Sequence, residues 1–193
     1  LDRSPIMGIE KPRAGKREQI VARNEYERIR SLASDEEFCD LVTFCWETGC
    51  RPQEAWNLEA RHLDLANHRV VYPPEESKIK TRPRVIYLND AASLSLLRRS
   101  ERFPQGPLFR NAKGKQWHKN NVSCRFQRMR KHLGKKYCLY NFRHSFATRL
   151  LAAGVDGLTV ALLLGHADVS MLGRVYSHLS QDPEYLVKQL KRA

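Results

Sequence analysis

The residues best placed to do chemistry lie in one stretch, Leu139 to Tyr176, which reads LYNFRHSFATRLLAAGVDGLTVALLLGHADVSMLGRVY. It opens as an apolar helix carrying Arg143 and His144 side by side, runs through a Leu-rich turn of helix to Gly165-His166, and ends on Tyr176. Phe142, Phe146 and Leu150 form the core face of that first helix, and Arg143 points to its edge. That is a poor place for a charge unless an anion or a partner meets it. Guanidinium and imidazole groups can hold a phosphate, and a phenol can act as a nucleophile. With an ordinary pKa of about 10, the phenol needs local help to deprotonate.

A second group stands upstream. In Thr48-Gly49-Cys50-Arg51-Pro52-Gln53-Glu54, Arg51 sits on a Gly-bounded turn at the start of a short helix, where backbone N–H groups also face an anion. Glu54, one turn later, can orient the guanidinium through a bidentate hydrogen bond. Taken alone, R-x-x-E is more often a surface ion pair. Between the two groups, Lys78 and Lys80 occur in SKIKTRPRVIYL, two residues apart and so on one face of a strand. A hairpin lysine, too, is most often a solvated edge charge.

These words occur together in an order that resembles the tyrosine recombinase (phage integrase) family. FRHSFAT, LLGH and RVYSH are similar to its C-terminal signature, and TGCRPQEAWNL (48–58) to its first arginine box. The resemblance runs from about Asn24 to His178. It implies that Arg51 and Arg143 are the catalytic arginines, that His166 is the third active-site position, and that Tyr176, in a His-x9-Tyr placement, is the nucleophile. It also implies a catalytic lysine on a β-hairpin, for which Lys80 is the choice and Lys78 the competitor. The family's second box is His-x-x-Arg followed by His. Here Tyr140 takes the first position, where a phenol can donate a hydrogen bond but cannot share protons near neutral pH as imidazole does. Some site-specific recombinases carry tyrosine there. His144 reads as a structural hydrogen-bonding residue.

The activity so implied is site-specific DNA recombination by transesterification through a 3′-phosphotyrosine, on double-stranded DNA, by a homo-oligomer that is a tetramer on its target. A nicking-resealing enzyme of the type IB topoisomerase kind and a non-cleaving DNA-binding protein of the same fold are the alternatives. No cofactor and no metal is expected: the sequence has no P-loop, no carboxylate cluster for Mg²⁺ and no Cys/His zinc spacing. The expected location is the cytoplasm, at the nucleoid, in a bacterial or phage setting. Five cysteines at 39, 45, 50, 124 and 138 read as reduced thiols packed like small hydrophobes.

Charge supports a polyanionic partner independently. The formal net charge is +13, and from Arg98 to Lys136 there are thirteen Lys/Arg against one acid, Glu101. A merely solubilising surface would intersperse both signs. Within this segment a helix capped by Asn120 places Val122, Phe126, Met129 and Leu133 in one stripe. Arg125, Arg128 and His132 form a second stripe, with Lys119 at the start, and these four are the candidate DNA contacts.

The elements that must position these groups follow from caps and periodicity. Residues 1–23 read as a linker and 179–193 as a helical tail; the resemblance implies that the linker follows a core-binding domain and that 24–178 is the catalytic domain. Asn24 with Glu27 forms a capping box for a first helix. Ser34 and Asp35 open a second, with Phe38, Leu41, Val42, Cys45 and Trp46 at core spacing up to Gly49. The stretch His62–Leu88 holds three strand-like runs, RHLDL, RVVYP and PRVIYL. Asn89-Asp90 caps another helix, Pro107–Lys115 reads as a short hairpin, and Asp182-Pro183-Glu184 caps the last helix. The expected fold is mainly α with a small antiparallel β-sheet.

Overall fold

The computed structural model describes residues 19–166, together with Pro183 and Val187. The segment expected to deliver Tyr176, and nearly all of the linker and the tail, lie outside the described residues. Those described form seven α-helices and a small sheet of strand order β1-β2-β3: α1 (Arg23–Leu32), α2 (Glu36–Thr48), α3 (Pro52–Trp56), β1 (Leu63–Asp64), β2 (Arg69–Tyr72), β3 (Arg84–Tyr87), α4 (Asp90–Arg102), α5 (Lys119–Leu133), α6 (Leu139–Ala152) and α7 (Gly157–Leu164). This is the mainly helical fold with one small antiparallel sheet. No described helix is long and apolar enough to cross a membrane.

Helix α2 is the central element. Asp35 accepts a hydrogen bond from the Phe38 amide at 2.9 Å, and Gly49 ends the helix in the left-handed conformation, φ 60°. Phe38, Leu41, Val42, Cys45 and Trp46 are all buried, as their spacing predicts, and so is Phe44. Trp46 stacks on Tyr26 at 4.4 Å and meets Phe142 of α6 edge-on, while Phe38 packs against Trp117 and Phe126. Helices α1, α5 and α6 are thereby clamped to α2. The stripe Val122, Phe126, Met129, Leu133 of α5 is buried as expected.

Two caps differ from expectation. Helix α1 begins at Arg23: Glu25, not Glu27, reaches back to the amide of Ala22 at 2.9 Å, and Glu27 pairs instead with Arg23. At α5 the N-cap is His118, whose amide donates to Asn121 at 2.8 Å, so the helix starts ahead of Asn120. In both, the residue three positions into the helix reaches back to an amide that lacks a helical partner.

The sheet pairs Leu63 with Val70, and Val70 with Ile86, in antiparallel register. Along β2 and β3 burial alternates, placing Val70, Tyr72, Arg84 and Ile86 on the inner face. Pro73 and Pro74 end β2, so residues 73–83 are a 3-10 turn followed by a loop rather than hairpin strands. Lys78 and Lys80 are therefore on that loop and not on a strand face. Ser77 is buried and holds the loop closed through bonds to the carbonyls of Ile79 at 2.6 Å and Arg82 at 2.9 Å.

Candidate active site

The last three residues of the α7 region present carbonyls that the helix itself leaves unpaired. An arginine from a different element meets each. Arg84 of β3 donates to Leu163 at 3.3 Å, Arg143 of α6 to Leu164 at 2.7 Å, and Arg51, ahead of α3, to Gly165 at 3.1 Å. Gly165 closes the helix with φ 66°, which turns the chain toward His166. Arg51, Arg143 and His166, separated by up to 115 positions of chain, are thus built into one corner.

Glu54 holds Arg51 as the sequence anticipates, but through one guanidinium nitrogen and the backbone amide rather than a bidentate guanidinium pair. The Arg51 amide and Nη1 donate to the two oxygens of Glu54 at 2.8 and 2.7 Å. The second Glu54 partner was not anticipated: Arg84 Nε donates to Glu54 Oε1 at 3.1 Å. Burial pushes the Glu54 carboxyl up, but Arg84, the Arg51 amide and the Arg51 guanidinium outweigh it and hold the group below the usual carboxylate range. It is a carboxylate shared by two cations.

Arg143 does not lie at the edge of the core face but inside it, 2% exposed. Besides Leu164 it donates to Gly49 at 2.9 Å, so it joins the C-terminal ends of α2 and α7. Burial first, then the charge of Arg51, push its pKa down to about 10, and it is still a cation at neutral pH. His166 sits in the same field. Burial, then Arg143, Arg51, Arg84 and His144, push it down to about 4, so its ring is neutral at pH 7. Its Nδ1 is buried and has no hydrogen-bond partner among the described residues.

Two adjoining cavities open on this corner, of about 870 and about 250 Å³. Arg51, Ser77, Lys78 and Arg84 line both, Tyr140 lines the larger and His166 the smaller. Tyr140 is 45% exposed and meets His144 edge-on at 5.1 Å. Lys80 is exposed and lines neither cavity. The foot of the lysine loop is fastened by Glu76, which binds Arg61 at 2.7 Å and His62 at 3.0 Å. Tyr176 is outside the described residues.

Of the four candidate DNA contacts, Lys119, Arg128 and His132 are exposed. Arg125 is engaged inside the protein: it pairs with Asp35, donates to Ser34 at 2.9 Å and lies over Phe38 and Trp117. Two other cations of the basic segment are likewise turned inward. Arg99 is buried against Asp40 and Phe109, and Arg110 binds the carbonyls of Pro107 and Gln105. The density of charge is therefore partly structural. Cys45 and Cys50 are buried as expected, whereas Cys124 and Cys138 are exposed; all five thiols are free.

Sequence reasoning missed Arg84, which reads as one more residue of the strand PRVIYL. The available signal was its place in the strand: it shares the inward face with Ile86, where a charge needs a partner.

The chain matches the phage integrase family over residues 17–182. Tyrosine recombinase XerD of Bifidobacterium longum is 33% identical over 159 residues, which are 77% of this chain and 51% of that protein. Tyrosine recombinase XerC of Anoxybacillus flavithermus is 29% identical over 150 residues, 74% of this chain and 50% of that protein. The chain thus spans about half the length of the curated relatives it matches. Among solved structures, XerA recombinase is similar with TM-score 0.69 at 21% identity, covering 90% of this chain and 64% of the other. The Tn1549 transposon integrase in complex with circular intermediate DNA is similar with TM-score 0.72 at 18% identity, covering 92% and 68%. At these identities the likeness establishes the shared fold.

Proposed function

The chain belongs to the phage integrase family, and from that premise we propose that it is the catalytic part of a site-specific DNA recombinase working through a 3′-phosphotyrosine. The observation that carries the reading is the corner at the end of α7. Three guanidinium groups gather there, with Glu54 the one carboxylate bonded to them among the described residues. Such a corner has positive charge to spare for a phosphodiester anion.

The division of labour follows from the chemistry. Tyr176, its phenol proton released to solvent, attacks phosphorus in line and forms the phosphotyrosine, and the 5′-oxygen takes up a proton and leaves as a hydroxyl. Arg51 and Arg143 offset the charge that builds on the non-bridging oxygens. Both side chains are already fixed in place, Arg51 by Glu54 and Gly165 and Arg143 by Gly49 and Leu164, so little reorganisation is needed as charge develops. His166, neutral, donates a hydrogen bond to the phosphate rather than a charge. Tyr140, on the cavity wall, supplies a hydroxyl in place of the family's histidine. The proton for the leaving oxygen comes from the loop 73–83. The sequence points to Lys80, but Lys80 lies away from both cavities while Lys78 lines them, which favours Lys78. Strand exchange then uses further copies of the chain on double-stranded DNA, in the cytoplasm, with no cofactor, because the phosphotyrosine conserves the bond energy.

A suicide duplex, nicked so that the cleaved 5′ fragment diffuses away, tests this. The chain should accumulate a covalent protein–DNA adduct, and Tyr176→Phe should bind the duplex yet form none. An adduct on the Tyr176→Phe variant would refute the assignment. Relaxation of supercoiled DNA by a single copy, with no exchange between two sites, would favour the topoisomerase kind of activity.

A further inference from the structure

Arg84 has no role in the chemistry just assigned, yet it shares Glu54 with Arg51 and bonds the end of α7. It opens β3 on the inner face, 8% exposed. Its planar fork spans two elements: Nε donates to Glu54 on α3 at 3.1 Å, and Nη1 to the Leu163 carbonyl of α7 at 3.3 Å and to Val85 at 2.5 Å. Gly165 lies so close that a Cβ there would fall 2.4 Å from Nη1. A side chain at residue 165 would have to displace the guanidinium from this position. Arg84 also ends the loop 73–83, which carries Lys78.

Burial of this charge is not what the fold alone asks for. Nη2 is buried with no partner among the described residues, and an apolar side chain of similar volume would fill the place without an unsatisfied donor. A guanidinium does what such a side chain cannot, meeting a carboxylate and a carbonyl at once; an ammonium carries its three donors on one nitrogen and lacks the rigid fork that holds the two acceptors apart.

We infer that Arg84 is a positioning residue, a strut that sets Arg51 (through Glu54), the Gly165–His166 corner and the lysine loop at fixed distances from one another. The inference rests on the phosphoryl-transfer reading above. Its consequence falls on the chemical step, since a misplacement of about 1 Å in such a site slows reaction by about 10²-fold. DNA affinity, set by phosphate contacts spread over the surface, is left nearly as it was.

The test compares the chain with Arg84→Lys and Arg84→Met on the suicide duplex. It measures the Kd for the duplex, the rate of adduct formation at saturating protein, the thermal midpoint, and amide hydrogen exchange at Gly165 and His166. Expected are a Kd within about threefold of the unaltered chain and adduct formation slowed by about 30- to 100-fold in both variants. Faster exchange at Gly165 and His166 should accompany the slowing. A role in folding alone would lower the midpoint but leave the saturated rate, measured well below that midpoint, near the original; this result overturns the inference. So does full restoration of rate by lysine. If Arg84→Met does not fold, Arg84→Lys decides alone. If the unaltered chain forms no adduct, the recombinase reading fails, and exchange at Gly165 and His166 still decides whether Arg84 holds the corner: unchanged exchange in Arg84→Lys means it does not.

Discussion

Arg51 Nη2 donates to the carbonyl of Gly165 at 3.1 Å although 114 positions separate the two residues. Through this bond the first arginine box and the His166 corner form one rigid object, and Arg143 completes it by bonding Gly49 and Leu164. Removing either guanidinium should slow adduct formation by about 10²–10³-fold. The two differ in stability. Arg143→Ala leaves two carbonyls in the interior without donors, at about 1–3 kcal/mol each, whereas Arg51 is partly solvated and its loss costs less. Urea midpoints of the two variants check the order, and equal shifts would contradict it.

The same cations give the site a pH signature. The folded-state pKa of His166 is lowered to about 4, below its unfolded value near 6.5. The unfolded chain therefore takes up the proton first, and the His166 contribution to stability falls as pH drops from about 6.5 toward 4. Glu54, also lowered, contributes above its ordinary range, and that contribution is lost at still lower pH as the folded carboxylate protonates. His166→Asn should flatten the first window and Glu54→Gln the second in denaturation series across pH. Bound duplex, by offsetting the cations, should raise the His166 pKa, which NMR titration of the ring reads directly.

Much of this was legible beforehand, where cause and effect lie close along the chain. The core stripe of α2, the Gly49 stop and the Arg51–Glu54 bond are all local consequences of spacing. What stayed hidden depends on distant partners. Arg125 looked outward from its helix, and Asp35, 90 positions upstream, turns it inward. Arg84 looked like a strand residue until Glu54 and Leu163 converged on it. The lysine pair is read from sequence as lying on one strand face, although the runs RVVYP and PRVIYL leave residues 74–82 outside both strands, as the structure has them.

Gly49 offers a clean test of backbone constraint. It adopts φ 60°, and a Cβ there would lie 2.4 Å from the ring of Phe146. Gly49→Ala pays the left-handed penalty of about 1–2 kcal/mol and also pushes α6 away from α2. Since Gly49 accepts from Arg143, the variant should lose activity at temperatures where it is still folded. Full activity together with a lowered melting midpoint would show that Arg143 tolerates the shift.

The two lysines of the loop can be separated with a duplex carrying a 5′-thio leaving group, which departs without a proton. Lys78→Ala should be slow on ordinary DNA and recover on the thio duplex, while Lys80→Ala should stay within about threefold of the original on both. The reverse pattern would return the proton to Lys80.

Charge reversal on α5 separates contact from scaffold. Arg128→Glu should weaken duplex binding and reduce the slope of log K against log salt by about 1. Arg125→Glu should instead lower the melting midpoint, because it sets a second carboxylate beside Asp35.

Around α7 the arginines are fastened chiefly to main-chain oxygens: Leu163, Leu164 and Gly165 at its end, and Gly49 at the end of α2. An anchor of that kind belongs to the path of the chain and not to any particular side chain. Leu163 can be exchanged for other residues that keep the turn, and the buried Leu164 for other apolar ones, without removing the carbonyls that hold the arginines. Substitution drift can therefore rewrite much of the wording around this corner while its cations stay in place, and a comparison of side-chain identities will understate how much of the corner two distant chains share.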